Sequence, residues 1–222
     1  MQLDTDFFDC DAQQLAIKLL GKVIRRQYKG QWLAARIIET EAYYLNDKAS
    51  HSSLGYSEKR KACFMPAGTI YMYYARGKDS LNISCRGEGS AVLIKSAIFY
   101  SDEYCHAEAL QIMQQLNPSN SGQLRSPEKL CAGQTLLCRA LNLKVKDWDQ
   151  RIFQKDSFYI EDTGYSVNSI IQTTRLGIPH GRDEHLMLRF IDENDAWHCS
   201  KNPLSQRQPN FIRLNNKTKA PT

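Results

Sequence analysis

The segment Arg36-Ile-Ile-Glu-Thr-Glu-Ala-Tyr43 constrains this chain more than any other. Its β-branched residues, bounded by Gly30 and Asn46, favour an extended strand over a helix. Side chains alternate along a strand, so Ile37, Glu39, Glu41 and Tyr43 then share one face. We read this strand as part of an active site, because two acids lie beside an aromatic ring. Two further segments follow closely, Ala49-Ser-His-Ser52 and Pro66-Ala-Gly-Thr-Ile-Tyr-Met-Tyr-Tyr74.

Around that strand the pattern is mixed. With Asp9 or Asp11 as N-cap, Leu15, Ala16, Leu19 and Leu20 recur at helical spacing, and Gly21 stops the helix. Strands are expected at about 22–28 and 32–44, joined as a hairpin at Lys29-Gly30. The polar stretch 45–62 puts His51 on a loop just after the carboxylate strand, where side chains can enter a pocket. Strands at about 69–75 and 80–84 flank a hairpin tip, Arg76-Gly-Lys-Asp79, expected to project into solvent, and an apolar strand follows at 91–99. Ser101 is expected to cap a helix with Cys105, Ala109, Ile112, Met113 and Leu116 on its apolar face, ended by Asn117-Pro118. A helical stretch near 134–141 and strands near 157–161, 167–172 and 185–191 complete an α+β pattern without βαβ alternation.

The 222 residues, 42% of them hydrophobic, suffice for one sizeable core, read as one domain over 1–200 with a tail at 201–222. No apolar run approaches the ~18 residues of a membrane span, and the amino terminus is acidic where a signal peptide would be basic. An intracellular protein with no membrane partner is expected, in the cytoplasm or nucleoid if bacterial and in the nucleus if eukaryotic. Seven scattered cysteines, without a Cys-x-x-Cys pair, suggest reduced thiols. The net charge of +5 comes from the tail: five of the 29 basic residues lie beyond position 200 with no acid, leaving 24 against 24 before it. That tail reads either as a disordered polar extension or as an arm that grips phosphates. Lys59-Arg-Lys61 and Arg76-Gly-Lys78 are local basic clusters, which fit either a solvated face or phosphate contacts.

Taken together, Glu-Thr-Glu-Ala-Tyr, the downstream His-Ser and Pro-Ala-Gly-Thr-Ile-Tyr-Met-Tyr resemble the alkyladenine (3-methyladenine) DNA glycosylase family. Phe7-Phe8, Leu20-Gly21, Leu81-Asn-Ile-Ser84, Leu130-Cys-x-Gly133, Leu137-Cys-x-Ala-Leu141, Arg175-Leu-Gly-Ile178 and Leu188-Arg-Phe190 extend the match over about residues 7–200. The resemblance implies a single compact α+β domain around a curved antiparallel sheet, with packed helices and a protruding hairpin that enters the DNA minor groove. It implies a monomeric base-excision-repair enzyme without cofactor or metal, acting on double-stranded DNA that contains damaged purines. Glu41 then matches the general base on water, and Glu39 a structural acid. Tyr43 and Tyr73 match the rings that stack on the flipped base, His51 the edge of the pocket, and Asn82 its floor. Leu176 matches a residue whose backbone carbonyl helps hold the water. For Tyr71, Met72 and Tyr74 core packing is the simpler reading.

The departures concern the same site. Lys95 stands where the family has an arginine beside the water, and Arg76-Gly77-Lys78, one residue shorter, replaces a tip with an aromatic before Gly. Gly133-Gln-Thr-Leu-Leu-Cys138 lacks the family's proline and lysine. A divergent homologue that binds damaged or nonspecific DNA without excising a base is therefore the alternative. A third reading takes His180 and His185 with Asp183 or Glu184 as metal ligands.

Overall fold

The computed structural model describes residues 1–215. The strands among them are β1 Val23–Tyr28, β2 Gln31–Tyr43, β3 Ile70–Ala75, β4 Lys78–Ser84, β5 Ala91–Phe99, β6 Phe158–Glu161, β7 Ser169–Thr173, β8 Arg189–Asp192 and β9 Phe211–Asn215. The helices are α1 Thr5–Phe8, α2 Ala12–Leu19, α3 Ala107–Leu116, α4 Gln134–Ala140 and α5 Val145–Trp148, with short 3-10 turns between. The strands form one antiparallel sheet in the order β3-β4-β5-β2-β8-β7-β9, with β1 bridging β2 and β6. The result is a single compact α+β domain.

β2 is the spine of this sheet. Its first half pairs with β1 and its second half with β8, while β5 runs along the other edge from Ala35 to Tyr43. The register against β5 shifts on both sides of Glu39, and irregularities of this kind bend a strand and re-aim its side chains. Beneath the bend lies α2, capped by the Asp11 carboxylate on the amides of Gln13 and Gln14, with Leu15, Ala16 and Leu19 buried. The Thr40 hydroxyl donates to the Ala16 carbonyl at 2.8 Å, which fixes the second half of β2 on that helix. Gly21 ends the helix at φ +80°, where a Cβ would lie 2.7 Å from the Tyr165 ring.

Several boundaries differ from the sequence reading for local reasons. The β3–β4 tip is only Arg76-Gly77, both at positive φ as a two-residue type I′ turn requires, because Lys78 and Asp79 pair with Ala75 and Tyr74. Ser101 does not cap a helix; its hydroxyl donates to the Cys105 carbonyl, and the Asp102 carboxylate takes the amides of Tyr104 and Cys105. These side-chain bonds compete with helical ones, so α3 starts at Ala107. The strand expected over 185–191 shrinks to β8, and residues 174–188 are irregular except for short turns.

The reading of 201–222 as a separate extension changes most. Pro203–Ser205 form a 3-10 turn and β9 adds to the free edge of β7, with Phe211 and Leu214 packed on the core clusters and Arg213 2.7 Å from Glu193. Two apolar anchors and a sheet edge outweigh the polar composition of that stretch. Residues 216–222, with Lys217 and Lys219, lie outside the described residues. All seven cysteines are free and buried. Among the described residues no helix is long and apolar enough to cross a membrane.

Candidate active site

At the end of β2, Glu41 is fully buried, yet its carboxylate is only loosely held. Oε2 accepts from the Tyr43 hydroxyl at 2.7 Å, and Oε1 accepts from the Leu176 amide at 3.3 Å. Lys95 Nζ, from β5, lies 3.4 Å from Oε1 and also 3.4 Å from Gln134 Oε1 at the start of α4. The expected contribution of Leu176 was its carbonyl; the contact to Glu41 comes from its amide. A groove of about 680 Å³ runs past Tyr43, Lys95, Leu176 and the tip residues Arg76 and Lys78.

A second, tighter cavity of about 20 Å³ opens beside it, lined by Tyr43, His51, Cys63, Tyr71, Tyr73 and Asn82 among others. Alternation along β3 sends Tyr71 and Tyr73 to this side. His51 stacks against them, its ring centroid 4.6 Å from Tyr73 and 6.3 Å from Tyr71, and His51 Nδ1 meets the Tyr71 hydroxyl. Asn82 sits opposite Tyr71 in the β3–β4 register, and its Nδ2 donates to the Tyr71 carbonyl at 3.1 Å. Tyr71 and Met72 are packed as core residues, whereas Tyr74 is 59% exposed, contrary to the core reading for it.

Burial sets the protonation states of this wall. It pushes Tyr73 up to about 12, and it raises Tyr43, with the Glu41 charge adding, and Tyr71 likewise, so all three phenols stay protonated at neutral pH. His51 moves the other way, lowered by burial and then by Arg60, and is therefore neutral at pH 7. A protonated Tyr71 and a neutral imidazole share one hydrogen bond at Nδ1, and in the tautomer in which Nδ1 accepts, Nε2–H is a donor. Cys63 is pushed up to about 12 by burial, so it lines the cavity as an unreactive thiol.

At the hairpin tip Arg76 occupies φ +51°, a left-handed conformation that costs a non-glycine residue on the order of 1–2 kcal/mol. Its Nη2 donates to the Gly177 carbonyl at 3.3 Å, so the tip leans across the groove onto the loop that carries Leu176 instead of projecting freely. Gly77, at φ +73°, completes the turn, and Lys78 faces the groove.

A protein family described as methylpurine-DNA glycosylase (MPG) matches residues 6–196. The chain is 59% identical over 206 residues to a protein of Pseudomonas savastanoi pv. phaseolicola named "Putative 3-methyladenine DNA glycosylase", covering 93% of this chain and 92% of that one. It is 34% identical over 209 residues to the DNA-3-methyladenine glycosylase of Mus musculus, covering 88% of this chain and 60% of that one. The chain belongs to the methylpurine-DNA glycosylase family. With it the chain is a monofunctional DNA glycosylase, a hydrolase of N-glycosyl bonds in base excision repair.

Within this glycosylase Tyr43, Tyr73, Lys95 and Leu176 line the groove together with Arg76 and Lys78 of the tip, His51 and Asn82 line the adjoining cavity, and Glu41 lies buried behind the groove wall in contact with Tyr43, Leu176 and Lys95. It keeps the four candidate metal ligands apart from that site. His180 Nδ1 pairs with Glu184 Oε1 at 2.6 Å and Asp183 accepts from the Lys48 amide, while among the described residues no group of three His, Cys, Asp or Glu converges. Sequence reasoning missed Asp47 and the side chain of Arg175, which lie behind Tyr43. The only signal was a charged residue opening the apolar Arg175-Leu-Gly-Ile178 motif.

Proposed function

We propose that this chain excises alkylated purines, 3-methyladenine and 7-methylguanine foremost and hypoxanthine or ethenoadenine as further substrates, by hydrolysis with a water activated by Glu41. The nucleotide leaves the duplex, and its base enters from the groove that Tyr43 and Tyr73 both line, parting Tyr43 from Tyr73 and His51 to widen the small cavity between them. Water attacks C1′ from the groove, its proton passes to the Glu41 carboxylate, and the electrons of the N-glycosidic bond leave with the base. A base methylated at N3 of adenine or N7 of guanine is cationic and departs neutral, so one carboxylate suffices; hypoxanthine needs a proton on departure. Cation–π attraction favours the charged bases, and the neutral His51 does not oppose them. Asn82 at the floor discriminates against the exocyclic amine of normal guanine, and Arg76 with Gly77 and Lys78 opens the base stack.

The observation that carries this reading is a fully buried carboxylate held by one short bond and two long contacts, all three from residues that line the groove. A base-release assay on duplexes carrying each lesion tests it. Glu41→Gln should keep lesion binding and lose about 10²- to 10⁴-fold in turnover. Wild-type turnover in Glu41→Gln removes the assigned role, and lesion binding by the wild-type chain without base release favours the non-excising alternative.

A further inference from the structure

Arg175 is almost completely buried, two residues beyond the end of β7, and reaches across the end of β8 to the end of β2. Its Nη1 donates to the Ala42 carbonyl at 3.1 Å and to Asp47, and its Nη2 donates to the other Asp47 oxygen at 3.0 Å. Asp47 is itself buried, in the turn that follows β2, where it also accepts from the Ala49 amide at 2.9 Å. The guanidinium lies 4.6 Å from the centre of the Tyr43 ring. Arg175 lines neither the cavity nor the groove, so it covers the face of Tyr43 turned away from them.

Two donors to Glu41 hang on this one side chain. The Leu176 amide is the next residue in the chain, and the Tyr43 hydroxyl belongs to the ring that the guanidinium supports. We propose that Arg175, locked by Asp47, is a positioning residue that sets both the orientation of the Glu41 carboxylate and the charge felt through the stacking ring Tyr43. The inference rests on the proposed function. Its geometric part follows from the bidentate grip, since a fork held at Asp47 and Ala42 fixes loop 174–178 against β2 as a single point charge cannot. Its electrostatic part follows from distance. A base on the open face of Tyr43 sits roughly 8 Å from the guanidinium, close enough at a dielectric of ~20 for an uncompensated charge there to disfavour a cationic base about thirtyfold. Asp47 supplies the compensation.

The test uses single-turnover release of 7-methylguanine and of hypoxanthine from duplexes, with affinity for the uncleaved lesion and circular dichroism alongside. Arg175→Lys should fold and lose about 10- to 100-fold in the rate of both releases, with a much smaller change in affinity. Asp47→Asn keeps the shape of the turn and removes the main counter-charge of the guanidinium, so the ratio of 7-methylguanine to hypoxanthine release should fall by up to about thirtyfold. A purely structural pair would lower stability without moving that ratio. A folded Arg175→Lys with wild-type rates, or an unchanged lesion ratio in Asp47→Asn, overturns the assignment. Release of neither base by the wild-type chain sinks the proposed function and this inference with it, whereas an active wild type with silent Arg175 and Asp47 variants sinks the inference alone.

Discussion

Glu39 and Glu41 are two residues apart on one strand and both are fully buried, yet their surroundings have opposite character. Glu39 accepts from Arg189 Nε at 2.6 Å, the Ser200 amide at 2.9 Å, the Ser200 hydroxyl at 2.8 Å and the Ser96 hydroxyl. A carboxylate offers about four acceptor positions, so Glu39 is saturated. Arg189 is also held on its far side, where Nη2 donates to the Lys201 carbonyl at 2.6 Å. Glu41 has one short bond, one long one and a lysine 3.4 Å away, which leaves acceptor capacity unused. The register shifts around Glu39 give each acid its own environment. Saturation makes a joint between β2, β5, β8 and the 199–201 segment; incomplete pairing makes a group able to take a proton. A buried charge is costly unless paired, so the second arrangement stays in place only because the first and its neighbours hold the strand.

The largest expected effect lies at the saturated acid. Arg189→Met leaves Glu39 buried without its counter-charge and should lower unfolding free energy by about 3–5 kcal/mol in denaturant titrations. The protein that remains folded should keep its rate of base release. A large loss of turnover with unchanged stability would reverse the roles given to the two acids.

How far this contrast could be read in the sequence depends on what decides it. Strand β2, the hairpins at Lys29-Gly30 and Arg76-Gly77 and the helix after Asp11 follow from periodicity and turn chemistry, which act over a few residues. Motifs in a fixed order single out Glu41, Tyr43, His51, Tyr73 and Asn82, and the fold sets the rings and Asn82 along the groove and cavity with Glu41 bonded behind Tyr43. What separates Glu39 from Glu41 comes from Arg189 and Ser200, 150 or more positions away, and no local pattern announces such partners. The same holds for Arg175 on Asp47 and for β9, whose place depends on a free edge at β7. Short irregular segments fail for the opposite reason: the side-chain bonds of Ser101 and Asp102 are local, but they oppose the helical pattern that their spacing suggests.

Next in size come the rings of the loosely paired region. If Tyr43 and Tyr73 hold the extruded base, changing either to Ala should weaken capture of a lesion duplex by about 1–3 kcal/mol, while Phe keeps most of it. Phe at position 43 also removes the 2.7 Å bond to Glu41, so Tyr43→Phe should lose rate without losing affinity, and Tyr73→Phe neither. Equal affinity of wild type and both alanine variants, with circular dichroism intact, would make these rings packing alone.

A smaller effect tests the neutrality of the wall. Burial and Arg60 hold His51 below the usual histidine range, so it is neutral at pH 7 and gains a proton only as the pH falls through that lowered value. An imidazolium there repels a cationic base and leaves a neutral one unaffected. Capture of 7-methylguanine relative to hypoxanthine, measured in Glu41→Gln to prevent turnover, should therefore fall several-fold, on the order of 1 kcal/mol, on the acid side. His51→Gln should abolish that dependence; a ratio flat with pH in the parent would show that His51 does not face the charged base.

The smallest effect is the sharpest test of the comparison. Glu39 meets Arg189 through Nε, with its other acceptor positions filled by Ser96 and Ser200, whereas Glu41 meets the single ammonium of Lys95, which is shared with Gln134. Lysine places a positive charge beside the carboxylate while occupying little of its acceptor capacity, whereas arginine can take two positions at once. Lys95→Arg therefore brings the surroundings of Glu41 closer to those of Glu39. If loose pairing matters only as a source of charge, the arginine variant should release bases within about threefold of wild type, and Lys95→Gln should lose more than either. If Lys95→Arg instead falls as far as Lys95→Gln, the open acceptor positions on Glu41 are themselves required, and the difference between the two acids is one of occupancy and not only of charge.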